Sequence, residues 1–317
     1  MTVDVAHSFR QHWAALRTLL VLTVITGFGY PLVVWGVAQL PGLHDKAEGS
    51  IIKLAGKPVG SKLIGQLFTD KDGKPLPRYF QSRPSAGGAG YDPTATGGSN
   101  LGPESIVDTP ADPAKLAPGE DPATAGYKPS LLTQVCSRSV AIGELEGIDG
   151  SRPFCTGGGV AAVLSVIGPR ESSGNVIHPD RVISVNEPCL RAAGRPASLP
   201  AQVFRPLYEG VRVQCAEYGE NYSIGQLVPI RGAAPDHPAV PADAVTASGS
   251  GLDPDISPEY AQIQAPRVAR ARGISPAQIL DEVHHNQQDR QLGFLGDPVV
   301  NVLQLNLALD RAFPVQP

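Results

Sequence analysis

Residues Thr18 to Leu40 read TLLVLTVITGFGYPLVVWGVAQL, and no charge falls in these 23 residues. A helix of that length reaches roughly 34 Å, enough to cross the hydrocarbon core of a bilayer. Tyr30 and Trp35 put amphipathic rings in its second half, where a membrane interface can hold them. Pro31 predicts a kink. Gly27, Gly29 and Gly36 are small faces where another helix can approach closely. The competing reading is a cleaved signal peptide. Against it, the apolar run exceeds the usual core of roughly 7–15 residues and no A-x-A site follows. The sequence therefore predicts a retained single-pass anchor, with residues 1–17 as a cytoplasmic tail.

Orientation does not follow from the basic residues. Arg10 and Arg17 precede the span, while Lys46, Lys53, Lys57 and Lys62 follow it. Cysteine usage is the better guide. Cys136, Cys155, Cys189 and Cys215 all lie after the span, and none shows the C-x-x-C spacing of a zinc or thioredoxin-like site. Four cysteines permit two disulfides in three connectivities, which suits an oxidising compartment. Four buried free thiols are the alternative. The whole chain has 35 glycines, 31 prolines and 18% charged residues, which argues for many turns and against a long helical bundle. A net charge of −4 leaves no basic footprint for nucleic acid.

Beyond the span, SIIKLAGKPVGSKLIGQ (Ser50–Gln66) reads as a hairpin or two short strands. Arg78–Pro103 is too rich in Gly, Pro and Ser for a regular element. It carries Tyr79, Phe80, Arg83, Tyr91 and Asn100, so an ordered surface loop is expected. Ser105–Tyr127 reads as a flexible connection. GVAAVLSVIG (Gly159–Gly168), RVISV (Arg181–Val185) and VRVQCAEY (Val211–Tyr218) are short β-like runs of a small module that the cysteines could staple. Ser257 with Pro258 starts one helix. Ser275, Pro276 and Gln278 start a second, with Ile279, Leu280 and Val283 as its apolar stripe. Leu303, Leu305, Leu307 and Leu309 recur at period two, which predicts a half-buried closing strand.

Catalytic patterns fail on spacing. Gly97-Gly98-Ser99-Asn100-Leu101 lacks the second glycine of G-x-S-x-G, and Ala247-Ser248-Gly249-Ser250-Gly251 lacks the first. Gly56–Lys62 has P-loop residue types at the wrong spacing. His284 and His285 are adjacent and would point apart on a helix. Asp253 and Asp255 suit turn and cap roles as well as a weak cation site. Two Gly/Ser loops remain, Thr96–Gly102 and Thr246–Asp253. Backbone N–H groups around Gly97, Gly98, Ser248, Gly249 and Gly251 could cradle an anion or a nucleotide phosphate, or simply form tight turns.

YFQSRPSA (Tyr79–Ala86), GGSNLGP (Gly97–Pro103), VTASGSGLDPDISPEYA (Val245–Ala261), PRVARARG (Pro266–Gly273) and LGFLGDPVVNVLQLNLALD (Leu292–Asp310), in this order after one span, resemble the C subunit of the Kdp potassium-transporting P-type ATPase. The resemblance covers roughly residues 15–103 and 241–310. It implies an α+β architecture: a single N-terminal transmembrane helix, then a mixed α/β domain, which the cysteines place outside the cytoplasm. The soluble domain would occupy residues 41–103 and 241–317. The stretch 104–240 departs from the family, where it is much shorter, and reads from its own residues as an insertion made of a linker and a small β-rich module. The resemblance implies a non-catalytic accessory subunit in the cell inner membrane. Its partners would be the lipid bilayer, an ATP-hydrolysing subunit and a channel-like potassium-binding subunit. No cofactor would be held tightly, no metal bound, and ATP would act only through the complex, whose transported ion is potassium. Catalytic-chaperone action on nucleotide affinity would then be a coupling between distant sites. On this reading Gly27, Gly29 and Gly36 pack against the channel-like subunit, while Arg83, Ser99, Asn100, Ser250 and Asn301 supply polar contacts. A membrane-anchored hydrolase using a loop serine, or an envelope-binding module built on the insertion, are the alternatives.

Overall fold

The computed structural model describes residues 5–87, 90–95, 97–98, 101–115, 122–186 and 203–314. They fall into two units, Met1–Leu63 and Ile64–Pro317. In the first, helix α1 (Val5–Val24) runs through a π-helical turn, Ile25–Gly29, into α2 (Tyr30–Ala38). Pro31 explains the wide turn. It has no N–H to donate, and its ring would collide with the carbonyl four residues back in a regular helix. The Tyr30 N–H instead reaches the Ile25 carbonyl. Phe9–Ala38 is long and apolar enough to cross a membrane, and none of it is buried within the chain. A short helix α3 (His44–Ala47) follows, then the hairpin β1 (Ile51–Leu54) and β2 (Lys57–Ser61). Ala55 and Gly56 turn it with positive φ, the two-residue geometry that matches strand twist.

The second unit contains, in chain order, α4 (Leu131–Glu146), β3 (Val163–Ile167), β4 (Arg181–Ser184), β5 (Leu207–Tyr208), β6 (Val211–Cys215), β7 (Gln226–Pro229), α5 (Ala242–Val245), β8 (Asp255–Ile256), α6 (Pro258–Arg272), α7 (Pro276–His285), β9 (Gln287–Gln288), β10 (Val299–Asn301) and α8 (Val302–Ala312). One sheet has the order β5-β6-β4-β3-β7, antiparallel except where β4 meets β6. Alternate side chains feed two cores. Val163 and Ile183 pack with Tyr222 on one face, and Leu164, Val166, Val182 and Val213 on the other. The smaller sheet has the order β8-β10-β9. With α6, α7 and α8 it encloses the main core, which includes Phe80, Ile256, Ile279, Leu305 and Leu309.

The expected module strands appear as β3, β4 and β6, and both expected helix starts are present. Ser257 Oγ accepts from the Tyr260 N–H, and Ser275 with Gln278 forms a reciprocal capping box. Three expectations are corrected. The closing strand is the helix α8: Val302, Leu305, Asn306 and Leu309 are buried at helical spacing, and Asn301 caps it by accepting from the Gln304 N–H. Leu and Ala favour a helix once a cap starts one, and the period-two leucines were a coincidence of composition. The inserted region is not β alone, since it also holds α4 behind the Ser130 cap. The stretch expected to be a flexible connection holds the buried Asp108. That carboxylate accepts from the Ser130 N–H (2.7 Å), the Thr133 hydroxyl (3.0 Å) and the Tyr127 hydroxyl (3.0 Å).

Candidate functional site

The Gly/Ser loop before β8 is stitched to the segment after Phe80. Ala86 N–H donates to the Ser248 carbonyl and Ser248 N–H to the Pro84 carbonyl, both at 2.8 Å. Gly97 N–H donates to the Gly249 carbonyl at 2.9 Å, and Tyr91 N–H to the Gly251 carbonyl at 3.2 Å. The Gly251 N–H is taken by Ser248 Oγ and the Leu252 N–H by Ser250 Oγ. Of the donors that sequence spacing offered to an anion, the N–H groups of Gly97 and Ser248 are thus spent on the partner loop and that of Gly251 on its own. Two glycines show why the residue type is required. A Cβ on Gly97 would fall on the Ala86 carbonyl, and one on Gly251, at φ +67°, would fall on Ser85. Gly98 and Gly249 are exposed, with open space where a Cβ would be.

Polar side chains hold the preceding segment. Asn306 pairs with both the N–H and the carbonyl of Phe80, at 2.9 and 3.0 Å. Gln264 does the same for Gln81, at 2.7 and 3.0 Å. Two side-chain amides therefore read this backbone as a neighbouring strand would, and drive Phe80 into the core. Arg267 lies beneath. It donates to the carbonyls of Pro77 and Tyr79, to Gln264 Oε1, and to both carboxylate oxygens of Glu146. Glu146 and Arg267 are both buried. Burial pushes the Glu146 carboxyl above its ordinary value, and Arg267 pulls it back only in part.

Between this segment and α4 lies a cleft of about 700 Å³. Leu67, Pro84, Ile142 and Leu145 make it mainly apolar, with Arg83, Arg138, Ser82 and Tyr91 as its polar groups. Both arginines are engaged. Arg83 bonds Asp253 (2.9 Å) and the Thr246 carbonyl, while Arg138 bonds the Val245 carbonyl and Gln134. Burial raises the Tyr91 phenol above its ordinary value. The Ser82 hydroxyl is near enough to steady its phenolate, yet among the described residues it makes no fully formed hydrogen bond and is itself buried.

Other expected contact residues disperse. Asn301 is 2% exposed, and its amide donates to Asp255 at 2.9 Å while its carbonyl caps α8. Its polar groups therefore act inside the domain, not on its surface. Ser250 is half-buried and bonded within its own loop. Ser99 and Asn100 lie outside the described residues. Gly27, Gly29 and Gly36 are exposed on the span; among the described residues a Cβ would meet the Thr23 side chain at 3.9 Å on Gly27, the Val24 carbonyl at 3.8 Å on Gly29 and nothing within 4 Å on Gly36. Cys136 on α4 is joined to Cys155, and Cys215 is also disulfide-bonded. Cys189 lies outside the described residues. Sequence reading gave Glu146, Gln264, Arg267 and Asn306 no role. The available signal was polar residues interrupting the small apolar face of α6 at Ala261, Ala265, Val268 and Ala269.

The motifs that interlock here are those of a known family. The family described as "KdpC: K+-transporting ATPase, c chain" matches residues 12–109 and 224–311, more than half the chain. The chain belongs to the KdpC family. Relatives called potassium-transporting ATPase KdpC subunit agree. That of Kineococcus radiotolerans is 32% identical over 314 residues, covering 99% of this chain and 100% of the relative. That of Beijerinckia indica is 32% identical over 302 residues, covering 95% and 94%. That of Mycobacterium tuberculosis is 33% identical over 302 residues, covering 95% and 98%. The KdpC match passes over residues 110–223, which hold α4 and β3 to β6. Glu146 thus stands outside the KdpC match and Arg267 inside it.

Proposed function

We propose that this chain is the accessory subunit of an ATP-driven, high-affinity potassium-uptake complex, anchored by its one apolar helix in the cell inner membrane. It supports assembly and stability of the complex, and its soluble domain lies on the extracytoplasmic side. Its partners are a channel-like potassium-binding subunit and the ATP-hydrolysing subunit, and it performs no catalysis of its own.

One observation carries this reading. The KdpC motifs bond one another through Ala86 with Ser248, Gly97 with Gly249, Arg83 with Asp253 and Arg272 with Asp310, and the span exposes its glycine faces. That is the design of a docking element. The Cys136–Cys155 disulfide supports the outer placement, since such bonds persist in oxidising compartments. From there, raising the nucleotide affinity of the ATP-hydrolysing subunit would be an effect transmitted through helix packing.

The test is affinity purification of the full chain from membranes of potassium-starved cells. The ATP-hydrolysing and channel-like subunits should co-elute, and Gly29→Leu should reduce them by crowding the helix contact. A parent chain that elutes alone would overturn the reading.

A further inference from the structure

β9 and β10 form a hairpin whose tip is built to hold apolar side chains in solvent. Val299 pairs with Gln288 and Val300 with Gln287 at its base. Arg290 and Asp297 close the next level with an ion pair at 3.0 Å. Above them Gln291 and Leu295 exchange two backbone hydrogen bonds, each 2.9 Å. The turn itself places Leu292 at φ +55° and Gly293 at φ +80°. Its first central position calls for Asn, Asp or Gly, because a branched side chain in the left-handed region is strained. A leucine stands there instead, 82% exposed, beside Phe294 at 69% and Leu295 at 49%. Neither local conformation nor packing within the chain explains that choice.

We infer that this tip is a preformed knob that inserts into an apolar socket on a membrane-embedded companion subunit. The inference rests on the accessory-subunit reading and names the surface that does the docking. Charge selects a protein over a lipid surface. Loops that sit on anionic headgroups carry clusters of Lys and Arg. From Ile274 to Asp297 this chain has no lysine and one arginine, Arg290, already tied to Asp297. Asp289 flanks the tip outside that pair, so the socket should carry a basic side chain at its edge. Strand pairing and the ion pair fix the tip before contact, so little ordering entropy is lost on docking.

The experiment compares the full-length parent with Leu292→Asn and Phe294→Ser, purified from membranes of potassium-starved cells. Asparagine suits positive φ, so Leu292→Asn should melt at or above the parent temperature while recovering companion subunits roughly tenfold less well, as loss of a buried apolar anchor does. Phe294→Ser should show the same split. A photo-crosslinker at position 294 should capture a companion subunit. If the parent co-purifies and both variants do so equally, the knob is wrong and the accessory-subunit reading stands. Crosslinking to lipid alone also overturns the knob. A parent chain that comes off the membrane alone overturns both.

Discussion

Arg267 on α6 and Glu146 on α4 meet at 2.9 Å, buried, across the boundary between residues the KdpC family model matches and residues it passes over. A buried pair is weak evidence for net stability, but removing one partner strands the other charge without water. Glu146→Ala should therefore lower stability by about 3–5 kcal/mol. Adding Arg267→Met should restore part of that loss. Thermal unfolding of the detergent-solubilised chain measures both, and an unchanged Glu146→Ala would show that the pair carries no structural load.

Gly97 and Gly98 are neighbours with different surroundings. Alanine at 97 would put its methyl group onto the Ala86 carbonyl, while alanine at 98 meets nothing. Gly97→Ala should cost roughly 2–4 kcal/mol and Gly98→Ala less than about 1 kcal/mol. Equal melting temperatures would mean that the loops do not interlock.

Cys136 and Cys155 are 19 residues apart. Closing a loop of about that size stabilises by roughly 3 kcal/mol, so Cys136→Ala with Cys155→Ala should lower the unfolding midpoint accordingly. Reductant should act on the parent chain and spare more of the double variant. No difference between parent and variant would remove one support for an extracytoplasmic domain.

Alkaline pH should unfold the soluble domain. The phenols of Tyr127 and Tyr260 are raised above the ordinary 10.0, chiefly by burial, with the Asp108 and Glu146 carboxylates adding to the effect. Above pH 10 the unfolded chain releases these protons while the native chain keeps them, so stability falls as pH rises through the folded values and is fully present below pH 10. Tyr127→Phe should lose about 1 kcal/mol at neutral pH with its bond to Asp108, and its melting temperature should fall less steeply above pH 10. An unchanged slope would exclude Tyr127 as a titrating group.

Local signals in the sequence reached the helix starts at Ser257 and Ser275, the presence of a hairpin within Ser50–Gln66 and three strands of the larger sheet. Each depends on neighbours within a few residues. The leucines of 303–309 misled because alternation and helical spacing overlap in a run dense in Leu, and burial at Val302 and Asn306 decides between them. The Gly/Ser loops were visible as glycine requirements, but their use was not, because the Gly97–Gly249 and Ala86–Ser248 bonds join distant segments. Glu146 was the least legible. Its partner is 121 residues away, and nothing near it announces a buried charge.

The wide turn at Ile25–Gly29 has a consequence for whatever helix lies alongside the span. Each residue advances a helix by about 100°, and a turn holding one more than usual rotates everything above it by about that angle. Gly36 therefore does not sit on the line that a uniformly wound rod would draw up from Thr18. A straight companion helix can lie flush with the lower length or the upper one, but not both. The span offers two short seams that face different directions.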